Sequence, residues 1–382
     1  MLLRGITVLD LTQNAVGHCA SSALGDLGAD VISLTRPGYG RARGFTGQRA
    51  VGRHKRSLTL DLRREPSQEV FRRLAARTDV ILEGFRPGVA QRLGVDVEAV
   101  RAVRPDIVYC AVTGYGQDGP YRDLPGHDLN YQGVAGALPR DTDGAPMLPA
   151  NSWADRCATL NIQFSVVAAL LARARHGQGC YLDLSITDTM LTLPASESYD
   201  HPDIHRILNG GPPGSEDPPN PFLRGSYPAY HLYECADHRY LSLCCIEPWF
   251  WTRLCDHLDR PGWTAHHQPD PARAAEIFQE LRRVFAARPR ADWLAELAVR
   301  DIPVAPVNDS SEMMRDPQLS HRSSVTPVAV AGVSLHQLQL PFTIDGARPE
   351  ITRGTAIEGE HTDELLRELG FTPDEVKGMS RR

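Results

Sequence analysis

The 382-residue chain has few cysteines, and its eight contain no Cys-x-x-Cys pair. The only adjacent two, Cys244 and Cys245, suit neither a zinc site nor an ordinary disulfide framework. We therefore predict no metal centre and no metal or redox cofactor, and we interpret the thiols as reduced packing residues.

Signals for secretion and for membrane insertion are also missing. No charged stretch followed by an apolar segment opens the chain, and no apolar run approaches the length of a membrane span. From these absences we expect a cytoplasmic protein without a membrane partner.

Nucleotides and nucleic acids have little support as partners. No Walker A run is present, which disfavours a nucleoside triphosphate. The formal net charge is -6, so no nucleic acid is expected, although basic residues concentrate between positions 36 and 64. That local excess requires its own explanation.

What the sequence does contain predicts an α/β fold. Its hydrophobic fraction of 42% and charged fraction of 23% are ordinary for a globular protein, and its length exceeds one typical domain. Short β-branched runs alternate with helical patterns, which is typical of βαβ units. The predicted strands of this region are 6–11, 31–34, 57–62, 79–83, 106–112 and 181–184.

Glycine and proline divide the chain. The segment 209–225 contains Gly-Gly-Pro-Pro-Gly and Pro-Pro, which favours a linker or lid, and a hairpin pattern follows at 229–234 and 239–245. The predicted parts are a large α/β domain at 1–200, a Pro/Gly-rich linker at 201–226, a small α+β domain at 227–324 and a C-terminal segment at 325–382 that returns to the large domain.

Two short segments together supply a histidine and a carboxylate, and each of these groups is expected in the first turn of a helix. They are Gly-His-Asp-Leu-Asn-Tyr at 126–131 and Asn-Ser-Trp-Ala-Asp at 151–155. His127 and Asp155 have the layout of a two-base site, in which one group removes a proton next to a carbonyl and the other returns one on the opposite face. The loop 113–120 follows a predicted strand, so we expect the binding crevice there.

Several motifs occur in a fixed order along nearly the whole chain. They are Gly-Asp-Leu-Gly-Ala-Asp-Val-Ile at 25–32, Lys-Arg-Ser-Leu at 55–58, Glu-Gly-Phe-Arg-Pro-Gly-Val at 83–89, Gly-Tyr-Gly-Gln at 114–117 with Gly-Pro at 119–120, and Gly-Glu-His-Thr-Asp-Glu at 359–364. Together they resemble the class III CoA-transferase and α-methylacyl-CoA racemase superfamily, the CaiB/BaiF family. The segments 126–131, 233–237 and 246–248 are similar to its racemase branch, whereas the transferase branch usually has no histidine at position 127.

The resemblance implies a Rossmann-like large domain, a smaller α+β domain and an interlocked homodimer. It also implies a CoA thioester as the substrate, whose phosphates would account for the early basic residues. The CoA-binding residues that it implies are Arg36, Arg86, Arg92 and Tyr115. Since arginines in loops are usually solvated, an ordinary surface position is the alternative for each arginine.

The resemblance also implies catalytic roles. His127 would be one base and Asp155 the other, with Glu247 and Asn151 orienting them or donating hydrogen bonds. Because the α-proton of a thioester is only weakly acidic, the site must stabilise an enolate, which helix N-terminal amides can do. The alternatives are a histidine that neighbours a helix cap and an aspartate that favours the helix dipole.

The residues around Asp155 depart from the racemase pattern. That pattern is commonly rich in glycine here, whereas this chain has Ala154, Arg156, Cys157 and Ala158. We expect a specialised acyl pocket and, if the side chains meet, a pKa of Asp155 that Arg156 lowers.

Three functions follow from the sequence. The first is racemisation or epimerisation of a 2-substituted acyl-CoA through an enolate. The second is CoA transfer between an acyl-CoA and a carboxylic acid, with Asp155 as the nucleophile, which leaves His127 without a role. The third is a non-catalytic member that binds acyl-CoA.

Overall fold

The computed structural model describes residues 1–39, 52–139, 145–191, 225–330 and 333–380. The chain divides into two compact units, the first of Met1–Ala195 with Arg322–Arg382 and the second of Ser196–His321. The predicted linker at 201–226 lies almost entirely outside the described residues, as do positions 40–51 of the basic segment. The domain limits drawn from the sequence stay predictions.

The sheet of the first unit has six strands, β1 (Thr7–Asp10), β2 (Asp30–Thr35), β3 (Lys55–Thr59), β4 (Val80–Glu83), β5 (Val108–Thr113) and β6 (Cys180–Ser185). All neighbouring pairs are parallel, and the order is β3-β2-β1-β4-β5-β6. The central strands are short runs of Val, Ile and Leu because both faces are buried. The α/β prediction is therefore confirmed.

The α-helices of the described residues are α1 (Ala15–Asp26), α2 (Glu65–Ala75), α3 (Val89–Arg92), α4 (Val97–Arg101), α5 (Asp128–Val134), α6 (Trp153–His176), α7 (Ile186–Met190), α8 (Pro248–His257), α9 (Pro271–Phe285), α10 (Arg290–Ala298), α11 (Ser310–Met313), α12 (Pro317–His321), α13 (Thr362–Glu368) and α14 (Pro373–Ser380). Those of the first unit cover both faces of the sheet. Val8 shares a core with α1 and α6, whereas its neighbour Leu9 shares a core with α2 and α13. This alternation follows from the pleat of the strand, which points successive side chains to opposite faces.

The strand order reverses between β1 and β4. In open α/β sheets ligands bind outside the carboxyl ends of the strands at such a point. The loops that follow β1 and β4 are in contact there, since a Cβ atom on Gly84 would lie 3.6 Å from Nδ2 of Asn14. The topology therefore adds these two loops to the crevice that the sequence placed after β5 alone.

The second unit is a smaller α+β body. Its antiparallel sheet consists of β7 (Tyr230–Glu234), β8 (Tyr240–Cys244) and β9 (Val304–Pro306). Helices α8 to α12 and a 3-10 helix at Pro261–His266 belong to the same unit. Its core includes the fully buried Tyr233, Trp251 and Phe285. The predicted hairpin of this region is confirmed.

The C-terminal segment begins with an antiparallel hairpin, β10 (Val325–Val330) and β11 (Val333–Leu338). It then runs beside β3, where the Thr59 N–H donates to Oγ1 of Thr362 at 3.2 Å. Leu365 and Leu366 of α13 complete the core under α2. The segment therefore packs against the first sheet.

Helix α6 corrects one sequence prediction. By length and composition alone it is apolar enough to cross a membrane, so the statement that no apolar run approaches a span is wrong. The reason is that its charged residues lie near its two ends and leave a long apolar middle. The inner face of that middle belongs to the core, with Ile162 and Val166 fully buried.

A close backbone approach at Gly25 leads to the first prediction. A Cβ atom at Gly25 would lie 2.7 Å from Cβ of His54, which has φ 63°. Gly25→Ala is expected to lower the free energy of unfolding by about 1 to 3 kcal/mol through overpacking. Since glycine accepts a positive φ, His54→Gly in the same chain should restore part of that loss. Urea unfolding of the wild type, both single variants and the double variant measures the coupling, and strictly additive effects would contradict it.

Candidate active site

Two helix N-termini carry the predicted bases. His127 is the N-cap residue of α5, one position before the first turn in which the sequence placed it, and its backbone N–H donates to Oδ1 of Asn130 at 3.0 Å. Its side chain is exposed, whereas Asp155, in the first turn of α6, is half-buried. The imidazole is therefore open to a ligand while the carboxylate is partly shielded.

The electrostatic surroundings of Asp155 favour its protonated form. Burial raises the pKa of Asp155, and the Asp128 carboxylate adds to that effect. His127 and Arg156 lower the pKa by smaller amounts, so Arg156 acts in the expected direction but is outweighed by burial and Asp128. The reason is that the Arg156 side chain is exposed and water screens its charge. The influence of His127 also places the two predicted bases within electrostatic reach of each other.

Asp128 is a site residue that the sequence analysis missed. Its Oδ1 accepts the backbone N–H of Asp155 at 3.0 Å. The N-cap residue of α6, Ser152, makes no side-chain cap hydrogen bond, so Asp128 caps this helix from another element. The only signal in the sequence was its position next to His127, because its partner lies 27 residues away.

A cluster of tyrosines lines the same region. Tyr131 fits between two glycines, since a Cβ atom on either Gly114 or Gly126 would lie 2.6 Å from its Cε1. Its hydroxyl donates to the Gly126 carbonyl at 2.6 Å, and Tyr115 meets its ring edge-on at a centroid distance of 5.3 Å. Burial and the nearby Tyr115 raise the pKa of Tyr131 to about 12, with Asp155 contributing. The predicted ligand residue Tyr115 thus packs against Tyr131 and lies close to Gly126, the residue before His127.

The three predicted CoA-binding arginines follow strands of the first sheet. Arg36 comes directly after β2, and Arg86 and Arg92 lie after β4, before α3 and at its end. All three are exposed, and none forms an ion pair within the described ranges. Arg56, in contrast, pairs with Asp30 at 2.6 Å. Three uncompensated cations near the carboxyl edge of the sheet suit a ligand that carries several phosphates.

The remaining predicted residues lie in different places. Asn151 is exposed just before α6, and its carbonyl accepts a hydrogen bond from Nε2 of Gln132 at 3.4 Å. Glu247 belongs to the second unit, where it is the N-cap residue of α8 and half-buried. The first unit therefore brings together His127, Asp155 and Asn151. Among the described residues no group of three His, Cys, Asp or Glu side chains is arranged to hold a metal ion.

Glu83, the last residue of β4, is a buried acid beneath the crevice and is only 3% exposed. Its Oε2 accepts the Phe85 N–H at 2.7 Å. Burial raises its pKa from 4.5 to about 7, and Asp183 adds to the shift. The pKa of Glu83 is higher in the folded state, so protonation favours folding. The contribution of Glu83 to the free energy of unfolding is therefore largest below about pH 4.5 and is lost as pH rises through 7.

Glu83→Gln is expected to remove this pH dependence. As pH rises from about 5 to about 8, the wild type should lose stability that the variant keeps. The difference in free energy of unfolding should shift by about 3 kcal/mol in favour of the variant. The amide oxygen can still accept the Phe85 N–H. Urea unfolding at both pH values measures the gain, and parallel curves for the two proteins would rule out Glu83 as the titrating group.

Comparison with known proteins identifies the family of this chain. The model of the CoA-transferase family III matches residues 3–362. An alpha-methylacyl-CoA racemase of Mus musculus is 31% identical over 379 residues, which cover 98% of this chain and 95% of that protein. A succinate–glutarate CoA-transferase of Agrobacterium fabrum (strain C58 / ATCC 33970) is 28% identical and covers 96% of this chain and 95% of its own length.

A solved structure shows the same architecture. The crystal structure of a CAIB/BAIF family protein from Brucella suis superimposes with a TM-score of 0.78 and is 27% identical. The match covers 96% of this chain and 99% of that one. With the parallel sheet, the paired helix N-termini and a family match over almost the whole length, this chain belongs to the family III CoA-transferases, the CaiB/BaiF family, which contains both racemases and CoA-transferases.

Proposed function

We propose that the protein racemises or epimerises the α-carbon of a 2-substituted acyl-CoA, with a 2-methylacyl group as the first candidate. The observation that carries this proposal is the pairing of His127 with Asp155 at the N-termini of α5 and α6. The carboxyl group has a raised pKa, and the imidazole lies within electrostatic reach of it. A pair of neighbouring acid–base groups is what 1,1-proton transfer requires.

The reaction breaks the α-C–H bond and moves its electron pair onto the thioester carbonyl oxygen. An ionised Asp155 or a neutral His127 takes the proton and leaves an enolate. The other group, in its protonated form, returns a proton to the opposite face and inverts the centre. Amide N–H groups at the start of α6 are suitable donors for the developing oxyanion.

CoA would enter through its phosphates. Arg36, Arg86 and Arg92 carry exposed charges without an ion-pair partner among the described residues, and guanidinium groups match phosphate oxygens in geometry. Tyr115 would lie where the pantetheine arm approaches the bases.

A second candidate is CoA transfer between an acyl-CoA and a carboxylic acid. It is supported by the half-buried Asp155 carboxylate, which can attack a thioester carbonyl and expel CoA thiolate to form a mixed anhydride. Relatives 26 to 28% identical to this chain are named as CoA-transferases. This candidate assigns no proton transfer to His127.

One experiment separates the candidates. The protein is incubated with a single enantiomer of 2-methylacyl-CoA in deuterated water, and α-deuterium and configuration are followed together. Exchange with loss of configuration is expected. Retained configuration without exchange, together with a new thioester when free carboxylic acids are added, would favour the transferase. An unchanged substrate under both conditions would favour the third function, a protein that binds acyl-CoA without catalysis.

We also propose that the chain forms a homodimer. Four large apolar side chains lie along one exposed stripe of α6 at helical spacing, Leu160, Phe164, Val167 and Leu171, which are 63%, 74%, 40% and 53% exposed. Such a stripe favours burial against a second surface. Light scattering should give twice the chain mass, and Phe164→Glu should reduce it to the mass of one chain. A stable wild-type monomer would remove this proposal.

A further inference from the structure

The proposed reaction gives no role to Gln132, whose side chain on α5 is completely buried. Its Nε2 donates to Oδ2 of Asp128 at 2.5 Å and to the carbonyl of Asn151 at 3.4 Å. Its Oε1 is also buried and has no hydrogen-bond partner in the part of the chain that the structure describes. Because an unpaired buried acceptor destabilises the folded state, packing alone does not account for a glutamine here.

The carboxylate of Asp128 determines which way this amide points. If the amide turned over, Oε1 would face a carboxylate oxygen at the same short distance, and two acceptors would repel each other. With Nε2 as the donor, the carboxylate is held so that its other oxygen accepts the Asp155 N–H at 3.0 Å. The hydrogen bonds therefore form a chain from Gln132 through Asp128 to the backbone of Asp155.

We propose that Gln132 is a positioning residue for Asp155. It acts at two points, because its amide fixes the Asp128 carboxylate that caps α6 and also binds the carbonyl of Asn151, in the segment that enters this helix. Together these contacts set the place of the Asp155 carboxyl relative to His127. The inference rests on the proposed function in one respect, that Asp155 is the reacting group, and this holds for racemisation and for CoA transfer alike.

Two substitutions at position 132 test the proposal. Gln132→Leu keeps the volume but removes both donated hydrogen bonds. It is expected to lower kcat about 10- to 100-fold, because a displacement of about 1 Å at a reacting group has effects of that size. KM should stay within about threefold, and Tm should change by less than about 4 °C, since the variant loses an unpaired acceptor together with its donors.

Gln132→Glu supplies a readout that a purely structural role would not change. The titratable group in contact with position 132 is Asp128 on the same helix, whose charge acts in turn on Tyr131 of α5 and on Asp155 and Cys157 of α6. At neutral pH the new carboxylate would repel Asp128, whereas its protonated form can donate to Asp128 as the amide does. The rate of Gln132→Glu relative to the wild type should therefore rise as pH falls from about 7 to about 5, and the relative rate of Gln132→Leu should stay flat.

A matched control is Gln337→Leu. It replaces another buried glutamine of the first unit, which accepts from Nη1 of Arg53 at 3.1 Å, and should leave kcat unchanged. A wild-type kcat in Gln132→Leu, or parallel pH profiles for the two variants at position 132, would overturn the proposal.

Crystal structures of the wild type and Gln132→Leu give a readout that does not depend on the reaction. The contact between the Asp155 N–H and Asp128 is expected to be lost in the variant, and its retention would overturn the inference. If the wild type catalyses neither candidate reaction, the proposed function fails while this comparison still decides the role of Gln132.

Discussion

Asp155→Asn is expected to lower the rate of racemisation by about 10² to 10⁴, the usual contribution of a positioned acid–base group. The amide keeps the size and the place of the side chain but cannot take or return a proton. Since burial and Asp128 raise the pKa of Asp155, the wild-type activity that needs its ionised form should fall with decreasing pH at a higher pH than for an ordinary aspartate. A pH–rate profile measures this, and the part of the acid limb that belongs to Asp155 should be absent from the residual activity of Asp155→Asn.

The matched control for this variant is Asp188→Asn. Asp188 is an exposed acid in the first turn of α7, so its replacement removes the same favourable charge from a helix N-terminus at another site. It should leave the rate of racemisation unchanged. Equal losses in the two variants would mean that Asp155 acts on the helix and not on the substrate.

His127→Asn is the second large effect, and it separates the two candidate reactions. Asparagine is a favourable N-cap residue, so the start of α5 should be kept while the titrating ring is lost. A racemase should lose about 10² to 10⁴ in rate. A CoA-transferase, whose nucleophile is Asp155, should keep its rate within about threefold. His176→Asn, at the exposed end of α6, is the control for replacing a histidine.

The two variants should also differ in the enantiomer whose α-proton they still exchange with solvent. In a two-base site each group faces one side of the α-carbon, so the base that remains can still exchange the α-proton of one enantiomer with solvent. In deuterated water Asp155→Asn and His127→Asn should therefore retain α-exchange with opposite enantiomers. If both variants exchange the α-proton of the same enantiomer, the two groups do not lie on opposite faces of the substrate and the proposed mechanism is wrong.

Much of the first sheet, and the hairpin of the second unit, could be predicted because their signals are local. The β-branched runs, the breakers and the hairpin pattern depend on neighbouring residues, and so does the ordered set of motifs that indicated the family. The length of α6 was visible in the same way, although its apolar middle was not recognised as long enough for a membrane span. The positions of His127 and Asp155 near two helix N-termini were also within reach of local patterns.

What the tertiary structure decided depends on contacts between distant parts of the chain. The strand order, and with it the place where the β1 and β4 loops meet, is fixed by packing on both faces of the sheet and not by any one strand. Asp128 caps a helix whose capped residue lies 27 positions away, and Gln132 reaches a carbonyl 19 positions away. The net direction of the Asp155 pKa belongs with these contacts, since it depends on burial, which no run of neighbouring residues specifies. The sequence thus determined which chemical groups and local elements are present, whereas only folding determined which of them meet and how far water is excluded from them.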